Sequence, residues 1–159
     1  MSANISHKAQ ETLVRESEEL VSTTNLQGVI TYCNEAFCRV AEYTHEELVG
    51  QNHNIVRHND MPKAAFGDMW ARLKQGKAWR GMVKNATKSG GYYWVDAYVT
   101  PIYENNHVVG YQSVRVKPKR EWVDIATKAY KSMRAAEKSG RTWSLKLNET
   151  IRYAILLGA

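Results

Sequence analysis

Between Asn52 and Asp60 the chain reads NHNIVRHND, which gathers amides, two imidazoles, a guanidinium and a carboxylate directly ahead of Pro62. Such a bend before a helix N-terminus offers cationic donors and free helix amides to an anion. Farther along, Trp79, Asn85, Trp94, Tyr98 and Tyr111 set aromatic faces and a carboxamide on strand-like segments. Together these residue types suit a planar ligand that carries negative charge. A flavin makes this set of demands: apolar or aromatic walls for its ring, amides for the pyrimidine edge, and Arg, His or helix amides for a pyrophosphate. Hydrolytic and metal chemistry find no support, because GxSxG, HExxH and a phosphate-cradling Gly loop are all missing from the sequence. The histidines His7, His45, His53, His58 and His107 are scattered. Cys33 and Cys38 have the wrong spacing for a CxxC pair or a zinc knuckle and read as reduced packing residues.

The elements that must position these groups follow from periodicity and turn chemistry. Residues 6–20, with Ala9, Leu13 and Leu20 among charges, predict an amphipathic leader helix. LVSTT, the turn NLQG and VITYC predict a first hairpin, and Asn34–Tyr43 a short helix. Thr44-His45-Glu46-Glu47 is a capping box whose helix stops at Gly50. Pro62 is placed as the first residue of a helix whose apolar face is Ala65, Phe66, Met69, Trp70 and Leu73. Trp79–Ala86, Gly91–Tyr103 and His107–Lys117 then read as three strands with short turns. The expected fold class is α+β: a five-stranded antiparallel sheet with short helices covering one face. Its expected divisions are a leader helix at 1–19, a domain at 20–117 and helical connectors at 118–159. The connector stripe Trp122, Ile125, Ala126, Ala129, Met133 and Ala136 must pack on the domain, on a second subunit or on later parts of the native chain.

Charge narrows the partners. The 159 residues carry a formal net charge of +6, but Lys+Arg and Asp+Glu balance at 12 each through residue 116, and the excess sits in the tail, 10 against 4. A neutral body followed by a basic tail is a poor match to a nucleic-acid module, so no nucleic-acid partner is expected. The N-terminus lacks the apolar core of a secretory signal, and no stretch reaches the roughly 20 apolar residues of a membrane helix, which points to the cytoplasm. The apolar run at 151–159 stops without a cap, so the natural chain is expected to continue.

At this point the sequence resembles the PAS sensor fold and, within it, the flavin-binding domain of bacterial aerotaxis receptors. The resemblance is carried by STTNLQGVITYCNEAF, YTHEELVGQNHNIVRHNDMPKAAFGDMW, LKQGKAWRGMVKN, GGYYWV and VVGYQSVR, which span Ser22 to Arg115. It implies a non-covalent FAD between sheet and helices whose redox state reports respiration or oxygen, in a domain that senses and is not an enzyme. Carried over position by position, it implies cofactor contacts for Asn34, Arg57, His58, Asp60, Phe66, Trp79, Asn85 and Tyr111. On this reading Arg57 and His58 face the diphosphate, Asp60 caps the following helix or orients Arg57, Asn85 and Asn34 meet the ring edge, and Trp79 stacks on adenine or flavin. Asn59 departs from the proline usual in the family and relaxes the backbone between His58 and Asp60.

Plainer roles stand beside these. Arg57, His58 and Asp60 alone would read as a helix cap and a surface ion pair, Phe66 and Trp70 as core, Trp94 as packing or a dimer contact, and Asn34 as a helix cap. A light-driven adduct is not expected, since His53 stands where the related light sensors carry the reactive cysteine. A haem-binding PAS gas sensor, using His53 or His58, and a cofactor-free interaction module are the alternatives. The resemblance also implies a homodimer, through the leader helix or sheet face, in a receptor anchored in the inner membrane and feeding a chemotaxis histidine kinase through later domains. The basic tail (Lys138, Arg141, Lys146, Arg152) suits a segment beside a membrane or a solvated connector.

Overall fold

The computed structural model describes residues 9–140. A hairpin of β1 (Leu20–Asn25) and β2 (Ile30–Cys33) comes first. Its turn is set by Asn25, whose side-chain oxygen accepts from the Gln27 and Val29 amides at 2.9 and 3.0 Å. The short helices α1 (Glu35–Ala41) and α2 (His45–Leu48) follow, and Thr44 caps α2 by accepting from the Glu47 amide, as the capping box requires. A 3-10 turn at His53–Val56 is started by the Asn52 side chain, and α3 spans Lys63–Lys74. Pro62 sits one place earlier than expected, at the N-cap with extended backbone. Three long strands, β3 (Trp79–Ala86), β4 (Tyr92–Glu104) and β5 (His107–Val116), lead into α4 (Arg120–Lys138).

The strands form one antiparallel sheet in the order β2-β1-β5-β4-β3. Strand alternation then sorts the residues to two faces. One face carries Trp79, Val83 and Asn85 from β3, Ala97 and Val99 from β4, and Tyr111, Ser113 and Arg115 from β5, all lining a cavity roofed by α3 and the 52–57 segment. The opposite face, with Met82, Trp94 and Asp96, is covered by α4. There Val123, Ala126, Tyr130 and Met133 are buried, the Tyr130 hydroxyl donates to the Met82 carbonyl at 2.7 Å, and the Tyr130 and Trp94 rings stack with centroids 6.3 Å apart. The short helices α1, α2 and α3 therefore keep to one face as expected, and the first connector helix settles the other by packing on the domain itself.

The leader helix is a correction. Residues 9–19 hold no helix; Glu11 forms a bridge with Tyr92, the Thr12 amide donates to the Tyr92 carbonyl at 2.8 Å, and the Tyr92 amide donates to the Gln10 carbonyl at 3.0 Å. The cause lies far away in sequence. β5 pairs with β4 only from Asp96 onward, so the start of β4 has a bare edge, and the N-terminal segment takes its unpaired backbone groups. Residues 1–8, and the second helical stretch with Arg141, Lys146 and Arg152 of the basic tail, lie outside the described residues, whereas Lys138 ends α4.

Candidate functional site

The cavity between the sheet and α3 has a volume of about 360 Å³, within the range of about 300–1,000 Å³ usual for small-molecule sites. Phe66, Met69, Trp70 and Leu73 from α3 form one wall and Trp79, Val83, Ala97 and Val99 from the sheet the other, so a flat apolar body meets surface on both sides. These walls are held in place. The Trp79 indole N–H donates to Asp68 on α3 at 2.9 Å, and Trp70 meets Tyr111 edge to face at 5.2 Å. Gly81 is what lets the indole lie down: a Cβ there would stand 2.5 Å from the six-membered ring of Trp79. Phe66 and Trp70 are thus cavity wall as well as core.

Polar groups enter at defined points. Asn85 is buried at 4% exposure, and its amide donates to the Tyr93 hydroxyl only at 3.4 Å, which leaves most of its hydrogen-bonding capacity toward the cavity. Gln27, Asn52, Asn54 and Gln112 add carboxamides around the rim. Among the described residues, two guanidiniums and no carboxylate line the cavity. Arg57 is exposed, its guanidinium over the Phe66 ring at 4.5 Å, while its backbone bridges to Asn85.

Arg115 is the unusual member. It is 2% exposed, yet it donates only to neutral groups: the Ser22 hydroxyl at 2.6 Å, His53 Nε2 at 2.9 Å and the Leu20 carbonyl at 3.4 Å, with Phe37 beneath it at 4.4 Å. Burial lowers its pKa to about 10. Because a guanidinium can only donate, His53 Nε2 must accept and the proton sits on Nδ1. Burial and then the Arg115 charge push His53 down to about 3, so the ring is neutral. The site therefore presents a buried positive charge with no acid to offset it, beside neutral donors and acceptors. Sequence reasoning named His53 only as a possible haem ligand and did not name Arg115, although strand alternation from Tyr111 through Ser113 to Arg115 carried the signal.

Of the eight residues expected at the site, the structure brings Arg57, Phe66, Trp79, Asn85 and Tyr111 to the cavity. Asn34, His58 and Asp60 are not in its lining. Asn34 is spent on structure: its oxygen accepts from the Val21 and Phe37 amides, both at 3.1 Å, and its nitrogen donates to the Glu19 carbonyl at 2.8 Å. Of its two possible roles, the helix cap is the one observed. Asp60 neither caps α3 nor meets Arg57; it pairs with Lys84 at 2.6 Å and Arg134 at 3.0 Å, tying the 57–60 bend to β3 and α4. The hydrogen bond from Lys84, ahead of the other nearby cations, holds the Asp60 carboxyl below its usual range. His58 accepts from the Asp60 amide at 2.9 Å, and burial lowers its pKa. The α3 amide at Ala64 is instead capped by Glu137 of α4 at 3.0 Å.

The fold and this cavity define a class: a small α+β domain with a pocket between one sheet face and its helices. Residues 30–115 match the family model described as the PAS fold, and the chain belongs to that family. Among curated proteins it is 45% identical over 132 residues to the aerotaxis receptor of Escherichia coli, covering 83% of this chain and 26% of the receptor. It is 35% identical over 91 residues to the nitrogen fixation regulatory protein of Klebsiella pneumoniae, covering 57% and 18%. The chain thus spans about a quarter or less of these relatives. Among solved structures it resembles a light-oxygen-voltage domain studied with a flavin analogue (TM-score 0.61, 18% identity, 76% of this chain and 89% of that one). It also resembles the aureochrome1 light-oxygen-voltage domain in its light state (TM-score 0.62, 15% identity, 69% and 89%). At such identities the likeness speaks for the fold alone. Neither Cys33 nor Cys38 lines the cavity, and His53 does.

Proposed function

We propose that this chain is the FAD-binding redox-sensing domain of an aerotaxis-type receptor, without enzymatic activity, and that it relays the state of its cofactor to signalling domains beyond it. The observation that carries the reading is an aromatic-walled cavity with two arginines, several carboxamides and no acid. These residues fit a flavin. Similarity to the aerotaxis receptor of Escherichia coli adds the receptor context, and a homodimer, a chemotaxis histidine kinase partner and a place on the cytoplasmic side of the inner membrane belong to the same proposal. No helix among the described residues is long and apolar enough to cross a membrane.

When bound, FAD would supply reversible electron exchange with its surroundings. Trp79 and Trp70 would flank its ring, and Asn85 would meet the polar edge. An amide can present either its N–H or its carbonyl, so Asn85 is suited to follow a change in the hydrogen-bonding character of that edge. Arg57, at the open rim, is the candidate for the diphosphate. His58 and Asp60 would act from behind, holding the bend that carries Arg57.

The haem alternative is weaker on geometry. His53 gives its Nε2 to Arg115, and His58 stands outside the cavity. Purified protein is expected to be yellow with paired flavin bands, and heating should release FAD. An intense Soret band, or colourless protein that stays empty after incubation with FAD, would overturn the proposal. Asn85→Ala is expected to keep part of the FAD while losing redox-dependent signalling, measured as the reduced-minus-oxidised difference in limited proteolysis. An unchanged difference would remove Asn85 from the relay.

A further inference from the structure

Two thiols stand together on the back of the cavity wall. Cys33, the last residue of β2, and Cys38, in α1, place their sulfurs 3.7 Å apart. Cys33 is 2% exposed, Cys38 is half-buried, and both line a shallow depression on the surface beside Arg39 and His45. The backbone between them is not free to drift. Asn34 pins the strand-to-helix junction by its hydrogen bonds to Val21, Phe37 and Glu19, so the two Cβ atoms are held and the sulfurs reach each other by side-chain rotation. A disulfide needs a sulfur separation of about 2.05 Å, so the 3.7 Å gap must close by about 1.6 Å for the bond to form.

We propose that Cys33 and Cys38 form a reversible dithiol–disulfide couple, oxidised by peroxides, that staples the end of β2 to α1. The half-exposed Cys38 reacts first: its thiolate attacks one peroxide oxygen, the O–O bond breaks, hydroxide leaves, and Cys38 becomes a sulfenic acid. The Cys33 sulfur then attacks Cys38 Sγ; the S–S bond forms, the S–OH bond breaks, and the Cys33 proton leaves with the hydroxyl as water. One peroxide is reduced to two waters and two thiols are oxidised, so electrons and protons balance. Cys33 is shielded from peroxide at 2% exposure, which leaves the first step to Cys38; burial, followed by the hydrogen bond with Cys38, raises its pKa to about 12, so it keeps its proton until that proton passes to the departing hydroxyl. In a reducing compartment such a bond is transient, as redox-sensing disulfides are.

Its place gives it a path to the cavity. Cys33 is paired in register with Ser22, whose hydroxyl accepts from Arg115, and Phe37 lies between the two cysteines in sequence with its ring under Arg115 and stacked on His53 at 6.0 Å. The couple does not depend on a flavin being bound, so it stands or falls separately from the proposed function.

Trypsin leaves both thiols on one peptide, residues 16–39, because no Lys or Arg lies between Arg15 and Arg39. The wild-type 159-residue chain is treated with hydrogen peroxide, denatured in iodoacetamide and digested. The expected peptide carries no alkyl group and lacks the mass of two hydrogens, and prior dithiothreitol restores both alkylations. In Cys33→Ser the Cys38 sulfenic acid is expected to persist and be trapped by dimedone, whereas Cys38→Ser should leave Cys33 alkylatable. Wild-type protein that stays folded by circular dichroism and keeps both alkylations, or that yields only sulfinic acid or disulfide-linked dimers, would overturn the couple.

Discussion

Arg115 and Arg80 stand on opposite faces of the same sheet and are satisfied in opposite ways. On the face under α4, Arg80 makes a two-pronged ion pair with Asp96, at 3.0 and 2.7 Å, and carries Trp122 over its guanidinium at 5.3 Å. Facing the cavity, Arg115 is buried where Arg80 is exposed, and it has only a hydroxyl, an imidazole and a carbonyl. A carboxylate offsets a desolvated cation; neutral dipoles do so only in part. One arginine is therefore structural, and for the other we propose that its charge is held for a ligand.

Exchange of each arginine for methionine should separate the two roles, and this is the largest effect expected. Arg115→Met is expected to cost at least a tenfold loss of flavin retention, read from the ratio of flavin to protein absorbance. The empty protein should lose little stability, since Ser22 Oγ and His53 Nε2 already lie 3.4 Å apart and can satisfy each other. Arg80→Met should do the reverse: flavin stays, and urea unfolding shows a loss of about 2 kcal/mol as Asp96, 7% exposed, is left without its cation. Equal loss of flavin in both variants would erase the distinction.

The His53 partnership of Arg115 predicts a pH dependence. His53 has a folded pKa pushed down to about 3, while in the unfolded chain it titrates near its ordinary value of about 6.5. Below that value the unfolded state binds the extra proton, so this contribution to stability is complete above about pH 6.5 and is lost as pH falls toward 3, by up to about 1.4 kcal/mol per pH unit. His53→Gln should flatten this part of the profile in urea titrations at successive pH values. A wild-type slope unchanged by the substitution would remove His53 as its source.

Smaller effects belong to the α4 face. Tyr130→Phe leaves the Met82 carbonyl without its donor at 2.7 Å and should lower stability by about 1 kcal/mol with flavin retained. Asp60→Asn weakens an ion pair whose carboxylate is half exposed, so its cost in stability should stay within about 1 kcal/mol. Its signature is faster release of flavin, because the bend that carries Arg57 is then loosely held. Unchanged release would confine Asp60 to anchoring α4.

Much of the fold was legible because it is locally encoded. The Asn25–Gly28 turn, the Thr44 capping box and the two-residue alternation of β3, β4 and β5 each depend on neighbours a few positions away. The cavity wall was legible in part: Trp79 and Asn85 share a face by strand parity and Phe66 lies on the apolar helix face, but Trp94 and Tyr98, grouped with them in the sequence, fall on the opposite face of the sheet, because strand register and not residue type decides the side. The leader helix was misjudged because a bare β4 edge about eighty positions downstream outbids a weak local period for the backbone of residues 10–12. Asn34 was ambiguous by nature, since an amide before a helix can cap it or face a ligand, and only the positions of Val21 and Glu19 decide.

By itself, then, the sequence determined the order of the elements, because periodicity and turn chemistry act over short range, and its motifs carried the resemblance to the family. The tertiary structure alone decided which arginine acquires a carboxylate, which side of the sheet α4 covers, and that two ordinary cysteines meet. Those outcomes depend on which distant segments share a face, and burial changes the energy of a charge or a thiol only once its neighbours are in place.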